Sequence, residues 1–241
     1  MTVALVDNRI TDECERALLI RGYNVIRMPA ARELSPPMAS HPDMLLFYHK
    51  GQIISTADYG EVGEYVFTDL RCACDVKMKF TSSTHADRYP RDAILNALVI
   101  GDRLFCKRDT VDEAVLSYAK EAGLKIVPTR QGYPACTVLA LDESHAITAD
   151  RGMGEVMRNE GISVTLIEDG DISLPPYEYG FIGGASGVDG NCVYFLGDVT
   201  RHRSYDKIKC AIDEVGMSIV SLGKGPLEDL GRIIFIPEHT N

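Results

Sequence analysis

The chain has 241 residues, of which 45% are hydrophobic, and it carries 25 Lys and Arg against 35 Asp and Glu, a formal net charge of −10. An acidic chain without a basic stripe is not expected to bind nucleic acid or an anionic membrane surface, because each phosphate contact needs a cation. No apolar run approaches the roughly 18 residues of a membrane span. These features predict a cytoplasmic protein.

The first predicted unit begins with a strand over residues 3–6 and a helix capped at Thr11. A strand over 23–28 follows, and then two strands over 44–48 and 52–54 that form a hairpin. The first unit is therefore predicted to consist of a helix, a strand and a hairpin, preceded in the chain by one additional strand.

The second and third units repeat this order. In the second, a glycine-rich stretch over 58–70 is the poorest of the predicted helices, and a strand over 76–80 precedes a hairpin of 93–100 and 103–106. In the third, Thr110 and Glu113 have the spacing of a capping box at a helix start.

A strand over 124–127 continues the third unit, and a hairpin of 137–141 and 145–148 ends it. In the fourth unit a helix around Met153 leads to a strand over 162–167. The second arm of its hairpin, 192–196, follows an Asp-Gly pair, which is a strong two-residue turn signal.

The fifth unit has a helix capped at Ser204, a strand over 218–222 and one terminal strand over 232–236. Single strands thus remain at both ends of the chain. Their pairing would close a ring of repeats and remove exposed edges.

Four of the predicted helices end on a glycine that is followed by a strand, which is a repeat typical of a propeller or array. We expect an α/β (α+β) fold with one domain over residues 1–241, arranged as a five-bladed pseudo-symmetric propeller. The expected blades are residues 1–55, 56–107, 108–149, 150–197 and 198–241.

The seven cysteines occupy irregular positions. Their odd number, in a chain that starts with a strand rather than a signal peptide, argues against a disulfide framework. Cys72 and Cys74 form a single C-x-C pair without a second pair, so no zinc site is predicted. We expect no metal and no cofactor.

Five units closed by the termini resemble the pentein fold of the guanidine-modifying enzyme superfamily. That superfamily includes arginine deiminases, amidinotransferases, dimethylarginine hydrolases and a non-catalytic ribosome anti-association factor. The runs 132–136, 179–187 and 196–198, together with His202, resemble an uncharacterised bacterial branch of it. The resemblance implies a small guanidino- or amino-acid-like ligand, cationic or zwitterionic.

Catalytic penteins are expected to use a Cys near the C-terminus, a His in the third blade and acidic residues around the guanidinium. The thiolate attacks the guanidinium carbon, the imidazole moves protons and the carboxylates hold the cation. Here the last cysteine, Cys210, falls on a predicted helix, and Cys136 ends the run where the His is expected. The usual Cys/His pair is therefore predicted to be absent.

In such a ring the segments that lead into the first strand of each hairpin would line one central channel. These segments carry a cysteine, a serine, two aspartates and an arginine, a set suited to a small zwitterion. The residues at these positions are His41, Asp43, Asn96, Cys136, Ser186, Asp229 and Arg232.

Cys136 is the predicted nucleophile, because Arg130 in the preceding loop could lower the pKa of its thiol. The alternative is a small buried hydrophobic residue on a strand. The glycine run 183–187, with Gly184 at its centre, could offer backbone amides to an anion; the alternative is close approach of two backbones.

Two further candidates lie in loops. Glu178 stands between two tyrosines and could hold a cation, whereas the alternative is an exposed loop carboxylate. Asp198 and His202 could form an acid–base pair that assists Cys136, whereas the alternative for this pair is a local network at a helix start. Asp229 is the other candidate for assisting Cys136.

We therefore expect a channel that binds a guanidino- or amino-acid-like molecule, with hydrolysis or transfer at a guanidine C–N bond if the protein is an enzyme. The alternative is a non-catalytic scaffold that presents loops to a protein partner. A doubly wound nucleotide-binding fold is disfavoured, because each helix and strand is followed by a hairpin. The sequence does not indicate an oligomeric state.

Overall fold

Small mixed sheets organise residues 2–239, the part of the chain that the computed structural model describes. The strands are β1 (Thr2–Asp7), β2 (Tyr23–Met28), β3 (Leu46–His49), β4 (Gln52–Thr56), β5 (Lys77–Thr81), β6 (Leu98–Ile100), β7 (Arg103–Cys106), β8 (Lys125–Pro128), β9 (Val138–Ala140), β10 (His145–Thr148), β11 (Ser163–Leu166), β12 (Ile172–Ser173), β13 (Ser186–Asp189), β14 (Cys192–Phe195), β15 (Ser218–Ser221), β16 (Leu227–Glu228) and β17 (Ile234–Pro237). The helices are α1 (Asp12–Ile20), α2 (Pro42–Leu45), α3 (Ala57–Val62), α4 (Glu64–Ala73), α5 (Glu113–Glu121), α6 (Pro134–Thr137), α7 (Arg151–Asn159) and α8 (Tyr205–Glu214), with a 3-10 turn at Val199–Arg201.

Five of the sheets described within residues 2–239 have three strands and the same internal order: β17-β1-β2, β3-β4-β5, β6-β7-β8, β9-β10-β11 and β13-β14-β15. In each, the central strand pairs antiparallel with one neighbour and parallel with the other. At least one helix connects the two parallel strands, because a parallel pair needs a crossover. The chain therefore has a mixed α/β fold built from one repeated unit.

The first sheet joins the two ends of the chain. β1 pairs antiparallel with β17, in a register that places Thr2 opposite Pro237 and Leu5 opposite Ile234. The predicted pairing of the terminal strands is confirmed. A short sixth sheet, β12 with β16, links the fourth and fifth units.

Glycines end the helices of four units as the sequence predicts. Gly22, Gly123, Gly161 and Gly216 all have positive φ, between 70° and 87°. This left-handed conformation costs an L-residue with a side chain more than it costs glycine, so the glycine stops the helix and turns the chain into the next strand.

Two predicted helix starts differ in the structure. Asp112, rather than Thr110, caps α5: its carboxylate accepts a hydrogen bond from the backbone N–H of Ala114 at 2.7 Å. Ser204 does occupy the N-cap position of α8, but its side chain makes no capping bond there. Its hydroxyl oxygen instead accepts a hydrogen bond from the backbone N–H of Glu168 at 2.9 Å. Asp112 also accepts a hydrogen bond from the Thr81 hydroxyl at 2.8 Å, so in both cases the side chain is bonded to a distant segment.

The first strand of several hairpins is shorter than predicted, because a turn precedes it. The chain forms one helical turn at α2 before β3 and another at α6 before β9. Each begins with proline, whose fixed φ favours the first helical position. The predicted strand over 93–100 is likewise reduced to β6.

The predicted glycine-rich helix is present as two helices, α3 and α4, that meet at Gly63. Within residues 2–239, no helix is both long and apolar enough to cross a membrane. All seven cysteines are free thiols, and Cys14, Cys74, Cys106 and Cys136 are the buried ones.

Candidate functional site

The segments that lead into the first strand of each hairpin converge on Cys136. Asp43 comes from α2, Asn96 from the turn before β6, Gly184 from the turn before β13 and Asp229 from the segment before β17. We call these five residues the central polar cluster. Arg232 is anchored to it through its backbone N–H, which donates to the carbonyl of Gly184 at 2.8 Å.

The thiol of Cys136 is held by two side chains. Its Sγ donates a hydrogen bond to Asp43 Oδ2 at 2.9 Å, and Asn96 Nδ2 donates to Sγ at 3.2 Å. Asn96 is itself fixed, since its Oδ1 accepts from the backbone N–H of Ala135 at 2.9 Å. Cys136 thus lies on the one-turn helix α6 and not on a strand, and its sulfur is part of a polar network.

This environment disfavours the thiolate. Burial raises the pKa of the Cys136 thiol well above its ordinary value, and the carboxylates of Asp43 and Asp229 raise it further. The expectation that Arg130 lowers this pKa is wrong: Arg130 is exposed and lines a separate surface cavity with Asp150 and Val156.

Two buried carboxyl groups flank the thiol. Burial raises the pKa of Asp43 to about 6, although the Cys136 hydrogen bond and the Arg232 charge oppose the shift. Burial and repulsion from Asp43 raise the pKa of Asp229 to about 7. Both groups are therefore poised to change charge near neutral pH.

The carboxylate of Asp229 is positioned by backbone amides. Its Oδ2 accepts from the N–H of Phe181 at 2.8 Å, and its Oδ1 accepts from the N–H of Gly231 at 3.1 Å. The carboxylate lies so close to Gly184 that a Cβ on that residue would stand 1.9 Å from Oδ1.

The glycine run 183–187 permits close packing and does not form an anion site. A Cβ on Gly183 would lie 2.5 Å from the carbonyl oxygen of Ala135. The amides that were expected to face an anion are used internally, because the N–H of Gly184 donates to the carbonyl of Cys136 at 2.8 Å. The Ser186 hydroxyl donates to the carbonyl of Ile182 at 2.7 Å and is fully buried.

Beside the thiol lies a small cavity of about 190 Å³ with mainly aromatic walls, which we call the aromatic cavity. Cys136 and Asp229 belong to its lining, so the cluster and the cavity are one site. The lining residues are Met38, His41, Tyr133, Cys136, Leu174, Tyr177, Tyr179, Phe181 and Asp229.

His41 lies in the wall of the aromatic cavity. It is buried, its Nε2 stands 3.8 Å from Asp7 Oδ2, and burial lowers its pKa to about 4. Within the described part of the chain, its Nε2 has no hydrogen-bond partner. The imidazole is therefore neutral at pH 7 and does not neutralise the carboxylates nearby.

A second cavity of about 220 Å³ is lined by Asp43 and Arg232 together with residues of β3, β6 and β17. We call it the Arg232 cavity. Asp43 therefore belongs to both sites: its carboxyl group bonds Cys136 of the aromatic cavity, and the residue lines this second cavity.

The loop candidates do not join the cluster. Glu178 is exposed, and only its neighbours Tyr177 and Tyr179 line the aromatic cavity. Asp198 accepts hydrogen bonds from the backbone N–H and hydroxyl of Thr200.

His202 is buried, and its Nδ1 accepts from the N–H of Ser204 at 3.0 Å. In residues 2–239 no hydrogen bond joins Asp198 to His202, so the expected acid–base pair is not formed. Both side chains stabilise the turn before α8.

The sequence did not indicate the aromatic wall as a feature of the site. Tyr177, Tyr179 and Phe181 occupy alternate positions along the chain. That alternation was a usable signal. No sequence pattern indicated that Tyr133 belongs to this wall. Its orientation depends on a 2.8 Å hydrogen bond from its hydroxyl to Asp92 Oδ2, which is far away in the sequence.

No group of three or more His, Cys, Asp and Glu side chains in residues 2–239 is arranged to hold a metal ion.

Solved structures with a similar fold include guanidino-modifying enzymes of the pentein superfamily. DDAH from Pseudomonas aeruginosa, complexed with citrulline, is 10% identical, with 92% of this chain and 91% of that chain covered and a TM-score of 0.59. The inosamine-phosphate amidinotransferase from Streptomyces griseus is 14% identical, with 97% and 82% covered and a TM-score of 0.57. Agmatine deiminase from C. jejuni with substrate bound is 8% identical, with 98% and 92% covered and a TM-score of 0.55.

At such identities the likeness defines the class of fold, a pentein-like mixed α/β fold, and nothing finer. The chain belongs to DUF6873, a family of unknown function, whose profile matches residues 5–234. No curated protein matches the sequence.

Proposed function

We propose that the aromatic cavity binds a small cation of the guanidino or amidino type. The observation that carries this proposal is the buried carboxylate of Asp229 in the lining, beside Cys136, whose thiol contacts a second buried carboxylate, Asp43. Among residues 2–239 the lining contains no lysine or arginine, so an incoming cation would be the partner of these carboxylates.

The aromatic side chains support the same ligand. A flat, weakly hydrated cation such as guanidinium is attracted to the face of an aromatic ring. Tyr133, Tyr177, Tyr179 and Phe181 surround a space small enough to select a compact head group. Aromatic rings and a carboxylate together favour a cation over a neutral molecule of the same size.

Cation binding would be linked to the release of protons from the site. A positive charge beside Asp229 and Asp43 favours their ionised forms and lowers both pKa values. Because these values are about 7 and about 6 in the empty site, binding releases protons. Affinity is therefore expected to rise as the pH increases from 5 to 8.

A second candidate function, chemistry at the guanidine carbon, rests on the 2.9 Å contact between Cys136 Sγ and Asp43 Oδ2. The thiol proton would pass to Asp43, the sulfur would bond to the guanidine carbon, and the C–N bond would break with the proton leaving on the amine. Water or an acceptor amine would then release the product, giving hydrolysis or transfer. A bound cation would lower the pKa of the thiol that the empty site raises.

In this version Cys136 and Asp43 carry the reaction, and Asp198 and His202 have no part in it. The imidazole of His41 is the candidate proton carrier, since it lines the same cavity. The pair that the pentein resemblance implies, a C-terminal Cys with a third-blade His, is thus replaced in our proposal by Cys136 of the third unit and Asp43 of the first.

We further infer that the five three-stranded sheets form a closed five-bladed ring within a single domain over residues 1–241. Pairing of β1 with β17 supports closure. Contacts of β13 with β9 and with β17 support a common centre lined by the first hairpin strands.

The binding proposal can be tested by ligand-induced stabilisation of the protein. Thermal shift with a panel of guanidines and amidines is expected to show stabilisation that Asp229→Asn abolishes. Glu178→Gln is the matched control, because it removes an exposed carboxylate next to the cavity wall. If no compound stabilises the wild-type protein, the proposal fails and the non-catalytic scaffold is favoured.

Labelling with chloroacetamidine and chloroacetamide tests the reactive thiol. The amidine is a cation and the amide is neutral, so Cys136 is expected to react faster with the amidine, and Asp229→Asn should remove that preference. Exposed Cys210 provides the internal reference for intrinsic reactivity. Equal rates with both reagents at Cys136 would exclude charge-directed chemistry there.

A further inference from the structure

Asp92 is a buried carboxylate that does not belong to the central polar cluster. It lies in the loop between β5 and β6, and only 2% of its surface is exposed. Its Oδ2 accepts a hydrogen bond from the hydroxyl of Tyr133 at 2.8 Å. Its Oδ1 is also buried and has no hydrogen-bond partner in the described part of the chain. A buried carboxylate that is only partly satisfied is costly for the fold, so its presence calls for an explanation.

Tyr133, the partner of Asp92, is fixed in the wall of the aromatic cavity. Its ring contacts the ring of Tyr89, with centroids 5.8 Å apart. Tyr89 in turn packs so closely on Gly132 that a Cβ there would lie 2.4 Å from a ring carbon. Because the hydroxyl is bonded to Asp92 and the accessible surface of the cavity is mainly apolar, Tyr133 contributes its ring to the wall. The hydrogen bond to Asp92 therefore sets the direction of a ring that a ligand would meet.

The proton of this hydrogen bond stays on the phenol. Burial raises the pKa of Tyr133 above its ordinary value, and the hydrogen bond to Asp92 raises it further. Burial also raises the pKa of Asp92, whereas the hydrogen bond from Tyr133 opposes that shift. The phenol is therefore the donor, and the hydrogen bond favours the ionised form of the carboxyl group.

A carboxylate at the hydroxyl end changes how the ring interacts with a cation. The face of an aromatic ring is the negative part of its quadrupole and attracts cations. Hydrogen-bonded groups polarise one another in low-dielectric surroundings, so a phenol that donates to a carboxylate has a more negative ring. A cation gains from this change, whereas a neutral ligand of the same shape gains little. Asp92 is not among the described residues of the cavity wall, so it would act without touching the ligand.

We propose that Asp92 is a positioning residue that gives the aromatic cavity part of its preference for cations. Its hydrogen bond orients the ring of Tyr133 in the wall, and its negative charge strengthens the attraction of that ring for a cationic head group. This role rests on the proposed cation site and adds to it a residue that acts through Tyr133 alone.

Calorimetric titration of the full chain with methylguanidinium tests this role in a double-mutant cycle. Asp92→Asn keeps an acceptor for the Tyr133 hydroxyl but removes the charge, and Tyr133→Phe keeps the ring but removes the hydrogen bond. Each variant is expected to bind about fivefold more weakly, which is the scale of a cation–π contact. The double variant should bind no more weakly than Tyr133→Phe, because Asp92 acts through the phenol.

A second readout separates this role from a merely structural one. In both single variants, the labelling rate of Cys136 by neutral chloroacetamide should stay within about twofold of the wild type, whereas its rate with cationic chloroacetamidine should fall about fivefold. Tyr118→Phe is the matched control, because it removes a phenol hydroxyl that bonds His49 away from the aromatic cavity.

The outcomes distinguish the role of Asp92 from the cation site itself. If the wild-type protein does not bind methylguanidinium, the cation site is refuted and the role of Asp92 with it. If the wild type binds but Tyr133→Phe or folded Asp92→Asn binds with the same affinity, the cation site stands and the role of Asp92 alone is overturned. The role is also overturned if Asp92→Asn weakens binding equally in the Tyr133→Phe background, or if both labelling rates fall together.

Discussion

Replacing Gly184 with alanine tests how tightly the central polar cluster is packed. The new Cβ would lie 1.9 Å from Asp229 Oδ1 and 2.4 Å from its Cγ, far inside any van der Waals contact. The φ of Gly184 is outside the left-handed region, so the backbone itself accepts alanine. The effect is therefore steric and confined to Asp229.

The magnitude follows from what must move. Overpacking a core position costs about 1–3 kcal/mol. A displaced Asp229 also loses its hydrogen bonds from the N–H groups of Phe181 and Gly231, at about 1 kcal/mol each. Alanine also lowers the conformational entropy of the unfolded chain relative to glycine, which offsets about 0.4–1 kcal/mol of this loss of stability. We expect Gly184→Ala to lower the free energy of unfolding by about 3 kcal/mol.

Urea unfolding followed by circular dichroism measures this change, with an unchanged slope against denaturant. Gly225→Ala is the matched control, because Gly225 has open space around its Cβ position and no positive φ. In an Asp229→Ala background the added cost of Gly184→Ala should shrink, because the atoms that it meets are gone. If Gly184→Ala and Gly225→Ala are equally stable, the packing argument is wrong.

Two further predictions concern charge and capping. Between pH 5 and 8, the free energy of unfolding of Asp229→Asn should change by about 1–3 kcal/mol less than that of the wild type. The folded-state pKa of Asp229 is raised to about 7 above its unfolded value, so its protonation stabilises the fold at low pH, and this contribution is lost as the pH rises through 7; an unchanged pH profile in urea titrations would contradict the assignment. Asp112→Ala should cost about 1–2 kcal/mol, because Asp112 caps α5 and accepts a hydrogen bond from Thr81, whereas Thr110→Ala should have little effect. A larger loss for Thr110→Ala in thermal unfolding would restore the predicted capping box.

The sequence was sufficient to predict which segments meet. Four residues of the site occupy equivalent positions in different repeats: Asp43, Asn96, Cys136 and Asp229. The repeated unit brings these equivalent positions close together. That inference needs only the order of helices, strands and glycine stops. It succeeded because those features are local, and it did not require the direction of any side chain.

Roles that depended on nearness in the sequence were mostly wrong. Arg130 lies six residues before Cys136 in the chain, yet the turn into α6 leaves it on the surface. Asp198 and His202 are close in sequence but hydrogen-bond to different neighbours. Their partners are the backbone N–H groups of Thr200 and Ser204, two residues further along, so the direction of each side chain depends on the local turn, which spacing in the sequence does not show.

The sequence also missed the electrostatic character of the site. A cysteine near an arginine predicts a reactive thiol, but Cys136 is enclosed by two carboxyl groups from distant segments. Their combined effect on the thiol reverses the expected sign of its pKa shift. Long-range convergence of charges is a property of the fold, and it becomes visible only when the strands are placed.

The pairing of β1 with β17 has a consequence for biosynthesis. β1 is an almost entirely buried strand, and its edge stays open until residues 234–237 have left the ribosome. An open apolar edge is an aggregation hazard, and pairing across such a long separation is slow to form. The first sheet therefore remains incomplete during translation until residues 234–237 are available. A chaperone would matter most for this protein during that interval.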